Sequence, residues 1–150
     1  MPINVYKCCL VREGAPIPWD RRQRVNNPEA VAGVLAKFFE GADRESMVAL
    51  ALDTRNAVIG INVVSVGSLD SAPSLPREVF KFAVLSNAAS IILGHNHPSG
   101  DPSPSIDDIR TTKRLVDAGK ILGIEVLDHI IVGEEGHASL RNTNENEIWH

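Results

Sequence analysis

Two histidines and an aspartate between residues 95 and 108 have the types and the spacing of metal ligands. His95 and His97 are two residues apart at the end of a predicted strand, so both imidazoles lie on the same side of that strand. Asp108 follows on the first turn of the next predicted helix, after a loop rich in proline that can bring its carboxylate beside the histidines. Two imidazoles and one carboxylate leave a fourth tetrahedral position for water, which is typical of a catalytic zinc site.

The spacing leaves a second interpretation of the same residues open. Pairs of histidines such as His95 and His97 are common on loops without a metal. Ser105 and Asp108 form an S-x-x-D pair, which is typical of a capping box at the start of a helix. Ser105 fits a cap in either case, but we do not expect the carboxylate of Asp108 to serve both the helix backbone and a zinc ion.

The elements around this stretch alternate between strands and helices, which predicts an α/β layer structure. Two β runs on either side of Asn56 predict a hairpin, so the sheet should be mixed rather than purely parallel. The tail 142–150 is polar and is predicted to be loose. The predicted strands are 3–12, 45–53, 58–66, 89–94, 124–132 and 138–140, the predicted helices begin at Asn27, Pro76 and Ser105, and the predicted loops are 13–26 and 67–75.

Length and composition indicate one ordinary globular domain of 150 residues. The net charge of −4 argues against tight nucleic-acid binding, and the short basic cluster Arg21, Arg22 and Arg24 is best interpreted as a solvated loop. The adjacent Cys8 and Cys9 exclude a disulfide framework within the chain and suit a reducing compartment. Because the sequence shows neither a signal peptide nor a membrane span, we expect a cytoplasmic protein.

The spacing His95-x-His97, seven residues, Ser105, two residues, Asp108 resembles the JAMM signature of the JAB/MPN metalloprotease family. Three further blocks, PREVFK at 76–81, LGHNHPSG at 93–100 and VLDHIIVG at 126–133, resemble the RadC-like branch of that family. The resemblance covers residues 28–140 or so. It implies a single domain over 1–150 with this core, built on a curved mixed sheet flanked by helices and similar to cytidine deaminases.

The resemblance also implies a zinc-dependent hydrolase that cleaves peptide or isopeptide bonds, often to ubiquitin-like proteins. The ligands carried over are His95, His97 and Asp108. Glu45, at the start of ESMVALALD, matches the family's upstream glutamate, which would move protons between the attacking water and the leaving amine. Ser105 would donate a hydrogen bond to the developing oxyanion. Without the resemblance, Glu45 is interpreted as a surface charge, no better placed than other nearby carboxylates.

The sequence departs from the peptidase pattern at Asn96, where peptidase members usually have serine or threonine, and this leaves the substrate class open. His129 is either a contact of the site or a packed, hydrogen-bonded sheet histidine. The alternatives to a metallohydrolase are a non-catalytic module of the same fold that recruits a protein or DNA partner, and a zinc-dependent nuclease. The family's association with DNA repair favours nucleic acid, and the acidic balance opposes it.

Overall fold

The computed structural model describes residues 1–20, 24–66 and 75–150. Arg21 and Arg22 of the basic cluster, and residues 67–74 of the predicted loop 67–75, lie outside the described residues. In chain order the elements are α1 (Pro28–Phe38), β1 (Ser46–Leu52), β2 (Val58–Val66), α2 (Leu75–Leu85), β3 (Ser90–Asn96), α3 (Ile106–Leu122), β4 (Glu125–Gly133), β5 (Gly136–Ser139) and α4 (Leu140–Ile148).

The strands form one mixed sheet in the order β2-β1-β3-β4-β5. β3 and β4 are parallel, and the other neighbouring pairs are antiparallel. Because parallel neighbours need a long crossover connection, α3 lies between β3 and β4 in the chain and packs against the sheet. The predicted α/β fold, with a mixed sheet flanked by helices, is confirmed.

The predicted hairpin is the β1–β2 pair, and Asp53 organises its turn. One carboxylate oxygen of Asp53, Oδ1, accepts the backbone N–H groups of Arg55 and Ala57 at 2.8 and 3.0 Å. Asn56 has a φ of 61°, in the left-handed region that asparagine tolerates better than most residues. The turn is therefore held by side-chain chemistry that is local in sequence.

Buried apolar side chains cover both faces of the sheet and give the domain three layers. α1 packs on one face, where Leu35 lies against Gly94 of β3 so closely that a Cβ at Gly94 would collide with it. α2, α3 and α4 cover the opposite face. Every residue of β3 is buried, which explains why its apolar residues, Ile91 to Leu93, follow one another rather than alternating with polar ones.

Two predictions about the chain's ends are wrong. Residues 1–12 have no strand, and their side chains are exposed, because β-type residues form a strand only where another strand pairs with them. Residues 142–150 are not a loose tail: α4 runs through them, and Ile148 and Trp149 are buried in the core. Within the described residues, no helix is both long enough and apolar enough to cross a membrane.

Candidate metal centre

The end of β3, the first turn of α3 and the residue before β1 meet at one place beside the sheet. His95 is in β3, and His97 follows it by two residues, so period two points both rings towards α3. Asp108 is at the third position of α3, and Glu45 directly precedes β1. Antiparallel pairing of β1 with β3 places Met47 opposite His95 and so brings Glu45 to the histidines. The structure thus brings together all four of these predicted site residues.

The four side chains present ligand atoms at distances that suit one small cation. Nε2 of His95 lies 2.8 Å from Nε2 of His97, and each nitrogen lies 3.3 Å from an oxygen of Asp108. Oε1 of Glu45 lies 3.5 and 3.8 Å from the same two nitrogens. Tetrahedral ligands with zinc bonds of about 2.0–2.1 Å are separated by about 3.3–3.4 Å. The two nitrogen–oxygen distances match this separation and the nitrogen–nitrogen distance is about half an ångström shorter, so the spacing is close to that of a tetrahedral metal site.

The hydrogen bond of His97 decides which of its nitrogens can bind a metal. Its Nδ1 lies 2.9 Å from the backbone carbonyl oxygen of Asp101, which can only accept, so Nδ1 carries the proton and Nε2 a lone pair. That lone pair points at Nε2 of His95 and at a carboxylate oxygen of Asp108. Imidazole nitrogen and carboxylate oxygen are ligands that zinc accepts, so the donor set fits a metal ion.

Asp108 serves both the helix and the cluster, contrary to the expectation that it could serve only one. Its Oδ2 accepts the backbone N–H of Ser105 at 2.9 Å, while Oδ1 faces His95. A carboxylate has two oxygens and about four lone-pair sites, which is enough for both roles. Burial raises the pKa of Asp108, but its contacts with His95 and with the Ser105 N–H outweigh burial and hold that pKa well below its usual value. Asp108 is therefore anionic at neutral pH, as a metal ligand would need to be.

Ser105 caps α3, and its hydroxyl is left with a proton to donate. Its Oγ accepts the backbone N–H of Asp108 at 3.0 Å, which completes the capping box. Accepting this bond uses a lone pair of Oγ and leaves the O–H free to point elsewhere. A cap and an oxyanion donor are thus compatible in this residue.

The comparisons with known proteins agree with this geometry. The family model described as "RadC-like JAB domain" matches residues 25–146. The chain belongs to the RadC-like JAB domain family. A UPF0758 protein of Moorella thermoacetica is 54% identical over 123 residues, which are 82% of this chain and 54% of the relative.

Other relatives of this JAB domain carry the same uninformative name. A UPF0758 protein of Desulforamulus reducens is 47% identical over 133 residues, covering 89% of this chain and 59% of the relative. One from Methanosarcina barkeri is 46% identical over 121 residues, covering 81% and 53%. The chain spans a little over half the length of the curated relatives that it matches.

Asn96 of this JAB domain has a role that the sequence did not reveal. Its side-chain Oδ1 accepts the backbone N–H of Ser46 at 2.8 Å, and its Nδ2 donates to the carbonyl of Arg44 at 2.9 Å. These two bonds hold the backbone on both sides of Glu45. The side chain of Glu45 is 33% exposed, against 0% for His95 and 3% for Asp108, so the cluster opens to solvent beside Glu45.

The loop that carries His97 is pressed against the β4–β5 hairpin. His97 donates its backbone N–H to the carbonyl of Val132, and Glu135 donates to the carbonyl of Gly100. A Cβ on Gly133 would collide with that carbonyl of Gly100, so glycine is required there. The JAB domain thus holds His95 through β3 itself and His97 through a loop packed against the β4–β5 hairpin.

Proposed function

We propose that this domain is a zinc-dependent metallohydrolase that cleaves peptide or isopeptide bonds. The observation that carries the proposal is the convergence of two imidazole Nε2 atoms and a buried carboxylate, beside a partly exposed second carboxylate. Three protein ligands with an open fourth position are typical of catalytic zinc, whereas structural zinc sites are usually closed by four ligands. Membership of the JAB family supports the same assignment.

The protein side chains divide the chemistry between them. His95, His97 and Asp108 would hold the zinc ion, which when bound lowers the pKa of a water molecule towards about 7. Glu45 would accept the proton of the attacking water and then deliver it to the leaving amine. Its carboxylate is near enough to the metal position for this role and open enough to solvent to exchange protons. Ser105 would donate its hydroxyl proton in a hydrogen bond to the developing oxyanion.

The sheet edge beside the site suits an extended substrate. β2 is the edge strand of the described sheet, and the last pair of its ladder joins Val66 to Ser46, the neighbour of Glu45. A peptide that adds to the free edge of β2 would be led towards the metal centre. A flexible peptide, such as the tail of a ubiquitin-like protein joined to a target lysine, can adopt that conformation. The exposed thiols of Cys8 and Cys9 suit a reducing cytoplasm, where we propose that such conjugates are met.

Metal analysis of the purified chain tests the first half of the proposal. We expect about one zinc ion per chain in the wild type and none in the His95→Ala/His97→Ala variant. A wild type that takes up no zinc even when zinc is added back would contradict the proposal and favour a non-catalytic module of the same fold.

Glu45→Gln tests the second half. We expect this variant to keep its zinc and to lose at least about a hundredfold in hydrolysis of linear and isopeptide-linked model peptides, because a positioned proton-transfer group contributes about 10²–10⁴-fold. Asp53→Asn is the matched control, because it also neutralises a carboxylate but at the opposite end of β1 from Glu45. Undiminished hydrolysis by Glu45→Gln would contradict the mechanism.

A further inference from the structure

A row of buried polar groups runs from His95 away from the cluster and ends on the backbone of α3. Nδ1 of His95 lies 2.6 Å from Nε2 of His129 on β4. Nδ1 of His129 lies 2.6 Å from Oγ1 of Thr112, and that Oγ1 lies 2.6 Å from the backbone carbonyl oxygen of Asp108. His95, His129 and Thr112 are each fully buried, so water does not compete for these bonds.

The carbonyl of Asp108 determines the direction of every bond in this row. A carbonyl oxygen only accepts, so the single hydroxyl proton of Thr112 must point at it, one helical turn back along α3. The lone pairs of Oγ1 are then left for His129, whose Nδ1 must carry a proton and donate it. If the hydroxyl proton of Thr112 pointed at His129 instead, no proton would lie between Oγ1 of Thr112 and the carbonyl oxygen of Asp108, which are 2.6 Å apart.

The direction passes through His129 to His95. His129 is completely buried, and its two ring nitrogens contact Nδ1 of His95 and the hydroxyl of Thr112, neither of which carries a negative charge that could compensate a charged ring, so the ring is neutral. A neutral ring that is protonated on Nδ1 has a bare Nε2, which must accept a proton from Nδ1 of His95. With that proton on Nδ1, Nε2 of His95 is left with a lone pair, and this is the atom that faces His97 and Asp108.

We propose that Thr112 and His129 are positioning residues that lock His95 in the tautomer whose Nε2 is free to bind the metal. The inference rests on the proposed metal centre and assigns roles to two residues that contact none of its reacting atoms. Asp108 takes part twice, since its carboxylate faces the metal position and its backbone carbonyl starts the row. One residue therefore supplies a ligand and also sets the proton position on another ligand.

Substitution of Thr112 separates this role from simple packing. Thr112→Val keeps the shape of the side chain but removes the hydroxyl, so Nδ1–H of His129 has no acceptor. We expect the proton of His129 to move to Nε2, where it donates to Nδ1 of His95 and forces the proton of His95 onto Nε2, the metal-binding atom. Thr112→Ser keeps the hydroxyl and is the matched control.

The tautomers can be read in the metal-free 150-residue chain by long-range ¹H–¹⁵N NMR of the imidazole rings, and zinc affinity by competition with a chelator. We expect His95 and His129 to be protonated on Nδ1 in the wild type and in Thr112→Ser. We expect both protons on Nε2 in Thr112→Val, with zinc bound about tenfold to a hundredfold more weakly, as for other groups that orient metal ligands.

Three results have distinct meanings. A wild-type His95 protonated on Nε2 would overturn the inference, and this spectrum needs no variant to fold. Unchanged tautomers and zinc affinity in Thr112→Val would also overturn it. Wild-type tautomers as expected, in a protein that binds no zinc, would overturn only the proposed function and would support the assignment of the hydrogen-bonded row.

Discussion

At the scale of single residues, the site depends on side chains that each act in two ways. Asp108 caps α3 with one carboxylate oxygen and faces His95 with the other. Ser105 accepts a backbone N–H and keeps a proton to donate. A carboxylate or a hydroxyl can make more than one hydrogen bond. A residue that is assigned a single role from its sequence pattern can therefore have two roles in the structure without conflict.

Asn96 leads to a prediction about Glu45. In Asn96→Ala both bonds that bracket Glu45 are lost, so its carboxylate should move relative to the metal while the ligands stay in place. We expect unchanged zinc content and about tenfold to a hundredfold slower hydrolysis of an isopeptide-linked model peptide, because misplacement by about 1 Å can cost about a hundredfold. Hydrogen exchange at the Ser46 amide should also become faster. Asn62→Ala, on the exposed part of β2, is the control, and loss of zinc from Asn96→Ala would contradict this role.

At the scale of elements, loops and turns hold the four clustered side chains in place. Gly133 makes this dependence testable, because a Cβ there would push against the carbonyl of Gly100 in the loop that carries His97. We expect Gly133→Ala to displace the loop and to weaken zinc binding about tenfold, as chelator competition would measure. Gly33→Ala is the control: its added Cβ meets no atom within 4 Å, and it should raise stability by about 0.5–1 kcal/mol through helix propensity. Equal zinc affinities in the two variants would refute the clamping role.

The β1–β2 turn gives a pH dependence. Backbone N–H groups of Ala57 and Arg55 hold the pKa of Asp53 below its usual value. A carboxyl group with a lowered folded-state pKa stabilises the fold above its unfolded pKa of about 3.9, and the contribution is lost as pH falls through the folded-state value. We therefore expect urea unfolding to show a larger loss of stability between pH 5 and pH 3 in the wild type than in Asp53→Asn. Equal losses in the two proteins would show that this turn does not respond to acid.

At the scale of the whole molecule, sequence reasoning succeeded where the signal was local. The period of a strand placed His95 and His97 on one side, and the cap at Ser105 placed Asp108 on the first turn of α3. The hydrogen bond between Asn96 and Ser46 and the buried row through His129 could not be predicted in this way, because these contacts join residues 50 and 34 positions apart. These residues meet only once the strands of the sheet have paired.

The C-terminal helix shows a second limit of prediction from sequence. α4 is polar along most of its length and is anchored by few apolar side chains. Trp149 is buried, donates its Nε1–H to the carbonyl of Val126 at 2.7 Å, and has the guanidinium of Arg141 over its ring. These contacts tie the end of the chain to the start of β4, the strand that carries His129. If the core ended near residue 140, as the sequence predicts, these contacts would be absent.

We therefore expect Trp149→Ala to lower the free energy of unfolding by about 3–5 kcal/mol, the usual cost of truncating a large buried aromatic side chain. Urea denaturation would measure the change, with the exposed His150→Ala as the matched control. The contacts of Trp149 described above involve none of the four clustered side chains. The zinc affinity of the folded fraction should therefore stay within about twofold of the wild type. A destabilisation below about 1 kcal/mol would mean that α4 is dispensable, because surface substitutions away from special features usually stay within about 0.5 kcal/mol.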